Sequence, residues 1–223
     1  MASTANNAVT QPQTEVLATN KVIRNTYTLL ALTLLFSALT AGISLVLQLP
    51  HPGLLLTLGG YFGLFFLTNK LRNSGWGLLS VFALTGFMGY TLGPILNMYL
   101  ALPNGAQVVM TSTAATGGIF LGLSLYALTS RRDFSFMGGF LMAGILVAFM
   151  AGLAAVFLDM PGLSLVVSAM FVLLMAGLIL YQTSSLIHGG ETNYIMATVT
   201  LYVSIFNLFT SLLHLLGFVN SND

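Results

Sequence analysis

Charge is what this sequence has least of. Lys, Arg, Asp and Glu make up 5% of its 223 residues, where a soluble domain carries about 25%. So few charges cannot clothe a water-facing surface. With 57% hydrophobic residues, lipid is the expected solvent. Cysteine is absent, which excludes disulfides, thiol chemistry and thiolate metal sites. A net charge of +1 excludes the electrostatic footprint that nucleic acid demands. No Asp, Glu, Lys or Arg falls inside any apolar stretch, although such groups are the usual mark of a proton or ion path. A nucleophile–base pair, a phosphate loop and GxGxxG are all missing, so neither an enzyme nor a cofactor is expected. His188 and Glu191 are too few to argue a metal site.

What is present is a series of long apolar runs. A helix needs roughly 20 apolar residues to cross about 30 Å of hydrocarbon. Residues 26–47, 53–68, 76–100, 107–128, 138–158, 163–182 and 194–216 fit, which predicts an all-α membrane protein of seven transmembrane helices. The turn at Asp159-Met160-Pro161-Gly162 separates the fifth and sixth. Ahead of the first run, Met1 to Asn20 is polar, with neither the apolar core nor the basic start of a signal peptide. It reads as a disordered tail reaching residue 22, with 23–223 a single transmembrane domain.

Orientation follows from the basic residues. With the N-terminus in the cytoplasm, Lys21, Arg24, Lys70, Arg72, Arg131 and Arg132 all fall on the cytoplasmic side. The loops near Pro50, Pro103 and Pro161 carry none. Seven full crossings would place the C-terminus outside, in the periplasm of a bacterial inner membrane. The loop at 183–193 and the tail at 217–223 carry no Lys or Arg, so charge does not decide whether the seventh helix crosses or re-enters.

Small residues mark helix contacts. Gly118 with Gly122, the series Gly144, Ala148 and Gly152, and the cluster Gly59, Gly60 and Gly63 would let backbones approach closely. Pro94 with Asn97 predicts a helix break in the third span, its freed carbonyl finding a local partner.

The seventh span alone carries sustained polarity. Thr200, Ser204, Asn207, Ser211 and His214 are spaced 4, 3, 4 and 3 and therefore share one helix face. The stripe either hydrogen-bonds neighbouring helices or lines a polar cavity or permeation path. His214, alone on that face, is read as a packing residue.

Several separated motifs, in order, resemble one family. Gly77-Leu78-Leu79-Ser80 and Gly89-Tyr90-Thr91-Leu92-Gly93-Pro94 resemble the third-helix signature of the Bax inhibitor-1 (transmembrane Bax inhibitor motif) family. Thr129-Ser130-Arg131-Arg132-Asp133-Phe134-Ser135 with Gly138-Gly139-Phe140-Leu141 resembles its fourth-to-fifth junction. Gly177-Leu178-Ile179-Leu180-Tyr181 and Leu201-Tyr202-Val203-Ser204-Ile205-Phe206-Asn207-Leu208-Phe209 resemble its last two helices. The resemblance runs from about residue 20 to the end and implies a seven-helix bundle with the last helix surrounded by the other six. Members with calcium-leak activity carry a pH-sensing pair of Asp residues on those two helices. Gln182 and Ser204 stand at the matching positions, and neither titrates near neutral pH. The bacterial inner-membrane branch is associated instead with the membrane-anchored AAA+ protease FtsH. The resemblance thus implies a protease modulator whose polar tail, Met1 to Asn20, offers a handle. The alternative it implies is a leak for Ca2+ or other cations, lined by the seventh helix. A transporter of a small uncharged solute is a third class, for which no residue names a solute.

Overall fold

The computed structural model describes residues 7–220. Its helices are α1 (Asn7–Val46), α2 (Leu54–Leu71), α3 (Trp76–Leu100), α4 (Gly105–Ser130), α5 (Gly138–Phe157), α6 (Pro161–Ile187) and α7 (Tyr194–Asn220), with one 3-10 turn, Ser135–Met137, before α5. Among the described residues, seven helices are long and apolar enough to span a bilayer. In hydrocarbon the backbone must satisfy its own polar groups, and helices do so within one segment.

The helices run past the apolar windows that predict them. The largest difference is in α1, which begins at Asn7 and so takes in most of the segment read as a disordered tail. Extending a helix that already exists adds one hydrogen bond per residue without a new nucleus. Residues 11–18 are also mostly good helix formers, Pro12 apart. Residues 1–6 of that tail lie outside the described residues, as do 221–223 at the other end. The end of α6 continues to Ile187 because Thr183 and Ser184 are buried against neighbouring elements rather than facing water.

α7 sits at the centre, packed on α1, α3, α4 and α6. Leu201, Tyr202, Ser204, Leu208 and Leu213 along it are all buried. The ring of neighbours is smaller than the six implied by resemblance. α2 packs chiefly on α3 and α5 on α6, and α2 reaches α7 through Tyr61, whose ring lies 6.1 Å from that of Phe206.

The tightest seam joins α1 to α3. Gly86, Gly89 and Gly93 present bare backbone to Phe36, Ser37, Thr40 and Ser44. A Cβ on Gly89 would fall 2.3 Å from the Ser37 carbonyl oxygen. The seam between α5 and α6 uses Gly144, whose Cβ would meet Leu174 at 2.6 Å, and the fully buried Ala148. Gly118 and Gly122 do not act in this way, since a Cβ on either meets nothing within 4 Å. Nor does α3 break at Pro94; the helix passes through it to Leu100.

All six basic residues gather at one end of the bundle. Lys21 and Arg24 lie in α1 just before its apolar run, Lys70 and Arg72 at the end of α2, Arg131 and Arg132 just after α4. Contacts between the flanking segments close this basic end. Asn193, before α7, donates to the Arg72 carbonyl at 3.1 Å and to Asn73 Oδ1 at 2.9 Å.

Candidate functional site

The polar face of α7 divides into two kinds of group. Ser204 Oγ donates to the Thr200 carbonyl at 2.7 Å, and Asn207 Nδ2 to the Val203 carbonyl at 2.8 Å. Each of these bonds runs to the residue's own helix, four residues back. Ser204 and Ser211 are buried, while Thr200, Asn207 and His214 are half-buried. His214 reaches another helix, with Nδ1 2.8 Å from Ser168 Oγ on α6. It thus bonds α7 to α6.

Gln182 and Ser204 do not form a donor–acceptor bridge through the amide. The Ser204 hydroxyl proton goes to Thr200, and Gln182 Nε2 is buried without a hydrogen-bond partner in the protein. No group of three or more His, Cys, Asp or Glu that could hold a metal occurs among the described residues.

Other groups that tie α7 to the bundle lie beside the stripe. Tyr202 Oη bonds Ser37 Oγ on α1 and donates to the Thr85 carbonyl on α3 at 3.2 Å. Thr198 Oγ1 lies 3.2 Å from the Thr26 carbonyl on α1 and 2.7 Å from the Tyr194 carbonyl of its own helix. One phenol thus joins three helices. Stripe-reading passes over Tyr202 because it counts small polar side chains, and tyrosine looks like part of the apolar background. A second signal was available in α1, where Thr26, Thr33, Ser37 and Ser44 are spaced 7, 4 and 7 and are all buried.

The carbonyl that Pro94 frees also finds its partner on α1. Proline cannot donate to the carbonyl four residues back, which is that of Tyr90. Ser44 Oγ donates to it at 2.9 Å. Asn97 Nδ2 makes a longer bond, 3.4 Å, to the Leu45 carbonyl. Pro94 and Asn97 are thus points of attachment between α3 and α1.

At the basic end the α4–α5 junction is fastened to α6. Ser184 Oγ accepts from the Phe134 amide at 2.9 Å and donates to the Arg132 carbonyl at 3.1 Å. The ring nitrogens of His188 lie 2.9 Å from the Ser184 carbonyl and 3.1 Å from the Arg131 carbonyl. Asp133 Oδ1 accepts from the Ser135 amide at 2.8 Å. That bond holds its carboxyl below the usual carboxylate range, with a smaller contribution from His188.

A cavity of about 440 Å³ opens between α1 and α4, with α7 as its floor. Its walls include Ala38, Ala41 and Gly42 of α1, Gly117 of α4, and Phe206 and Phe209 of α7.

These features define a class: a polytopic membrane protein whose central helix is held chiefly by hydroxyl and backbone hydrogen bonds, with no Asp, Glu, Lys or Arg among the described residues of α7. The chain belongs to the Bax inhibitor-1 family, since the family model described as "Inhibitor of apoptosis-promoting Bax1" matches residues 19–221. A protein of Pseudomonas aeruginosa, itself uncharacterized, is 59% identical, with 91% of each chain covered. "Modulator of FtsH protease YccA" of Escherichia coli strain K12 is 55% identical over 93% of this chain and 94% of its own. A protein of E. coli O6:H1 with the same identity and coverage is named "Inner membrane protein YccA".

Proposed function

We propose that this chain is a non-enzymatic protein of the bacterial inner membrane that modulates an FtsH-like, membrane-anchored AAA+ protease. The observation that carries this reading is its 55% identity, over nearly the whole of both chains, to a relative named as a modulator of FtsH. Two structural features support it. All six basic residues lie at one end of the bundle, which the positive-inside rule assigns to the cytoplasm. At that end α1 is 40 residues long, roughly 60 Å by its rise, against about 30 Å of hydrocarbon. Its N-terminal part therefore projects beyond the membrane, on the side where a cytoplasmic ATPase would meet it.

The test is removal of residues 2–20. The truncated protein should insert normally, bind the protease less well and inhibit it less. Unchanged binding and inhibition would remove the N-terminal segment from the mechanism. A reporter fused after Asp223 should appear outside the cytoplasm if α7 crosses fully.

The alternative is a cation leak lined by α7. Two observations weigh toward the modulator: Ser204 and Asn207 each donate to a carbonyl of their own helix, and the spans hold no carboxylate. Liposome flux separates the readings, since a leak would give Ca2+ release that Ser204→Leu or Asn207→Leu abolishes.

A further inference from the structure

The cavity between α1 and α4 leaves part of the central helix without a helix packed over it. α1 and α4 meet through Tyr27 and Phe120, whose ring centroids lie 6.3 Å apart. From Phe120 toward the end without basic residues they part, and Ile205, Phe206 and Phe209 of α7 line the space between. The gap is made by absent side chains. Ala38, Ala41 and Gly42 form one wall and Gly117 stands in the other, and a Cβ on Gly42 or Gly117 meets no atom within 4 Å.

Chemistry selects the occupant. Four hydroxyls touch the cavity, and each is already bonded within the protein. Ser37 and Tyr202 bond each other. Thr113 donates to the Val109 carbonyl at 2.8 Å and Thr116 to the Ser112 carbonyl at 2.7 Å. The rest of the lining named here is aliphatic or aromatic, and no charged residue contributes. Such a space gives water too few partners to hold it. Its mouth is continuous with the bilayer-facing surface, because Leu35 and Leu39 beside it on α1, and Met110 and Leu121 on α4, are all exposed. Its volume, about 440 Å³, falls within the roughly 300–1,000 Å³ typical of small-ligand pockets.

We propose that this cleft is a lipid site that takes one acyl chain from the surrounding bilayer and lays it against Phe206 and Phe209 of the central helix. The hydrocarbon replaces side chains that α1 and α4 lack. It also completes the shell around α7 on the side where no helix covers it.

The test uses the full chain in vesicles of phosphatidylethanolamine and phosphatidylglycerol carrying a diazirine within one acyl chain. After illumination, mass spectrometry should find adducts on α7 at residues 205–209 as well as on exposed Leu35 and Leu39. Gly117→Leu fills the cleft without meeting a protein atom at its Cβ, and should lose the α7 adducts while keeping those at Leu35 and Leu39. Gly42→Leu does the same from the opposite wall and serves if the first variant folds poorly. Absence of α7 adducts in the unsubstituted protein, or their survival in both variants, overturns the proposal. Because the chain has no cysteine, single thiols report without background. Phe209→Cys should resist a water-soluble maleimide and react with a lipid-soluble one; reaction with the former means a water-filled cleft and overturns it. Disulfide-linked dimers of Ala41→Cys in the membrane would identify a second copy as the occupant, and overturn it too.

Discussion

Ser44 of α1 donates its hydroxyl to the Tyr90 carbonyl of α3 at 2.9 Å, the carbonyl that Pro94 leaves without its helical partner. A proline in the third span and a serine in the first are thus two halves of one device. Ser44→Ala should destabilise the protein by about 0.6 kcal/mol, the average for hydrogen bonds between membrane helices, and by no more than about 1.7 kcal/mol, their maximum. Pro94→Ala supplies the missing amide, so Ser44→Ala should then have a smaller effect. Thermal unfolding of the four proteins in detergent gives the coupling directly. Equal effects of Ser44→Ala with and without Pro94 would contradict this pairing.

Glycine position decides the sign of a second pair of substitutions. A Cβ at Gly89 would lie 2.2 Å from Thr40 Oγ1 and 2.3 Å from the Ser37 carbonyl, whereas one at Gly118 meets nothing. Gly89→Ala should force α1 and α3 apart, at a cost of about 1–3 kcal/mol. Gly118→Ala should lie within about 0.5 kcal/mol of neutral, or stabilise slightly through helix propensity. Unfolding midpoints of the two variants measure the contrast. Sequence spacing alone could not rank these sites. A glycine pair one turn apart shows that a close approach is possible, but not that a helix has taken it. Gly144, with its Leu174 neighbour, illustrates the case where both hold.

Tyr202 and Ser204 reverse the weight that their appearance suggests. Ser204 is polar and occupies a position of interest by resemblance, yet its hydroxyl returns to Thr200. Tyr202 joins α7 to Ser37 and to the Thr85 carbonyl and is 1% exposed. Tyr202→Phe should therefore destabilise by about 1 kcal/mol or more, leaving buried polar atoms unpaired. Ser204→Ala should cost less than about 0.5 kcal/mol. The seven spans were legible because hydrocarbon imposes one rule on every residue of a crossing. The partner of each polar group was not, because it depends on how helices distant in sequence come to face one another.

Asp133 gives a pH dependence of defined sign. Its native carboxyl is held low by the Ser135 amide, so its contribution is complete above the unfolded value of about 3.9 and fades as pH falls through the lower native one. Protection of the Ser135 amide against hydrogen exchange, corrected for intrinsic rate, should fall in acid. Asp133→Asn should remove that acid dependence.

The α4–α5 junction offers the last prediction. Arg131 and Arg132 are exposed, and their carbonyls are bound by His188 and Ser184. Trypsin can cut there only when the backbone leaves α6, so cleavage reports the opening equilibrium when reclosing is fast. His188→Ala removes the contact to Arg131, while Ser184→Ala removes both the Phe134 and Arg132 contacts. A loss of about 1.4 kcal/mol in opening free energy corresponds to roughly tenfold faster cleavage. Ser184→Ala should accelerate cutting more than His188→Ala. Their combination should fall short of the product, since both fasten the same few residues and the second loss acts on a junction already loosened.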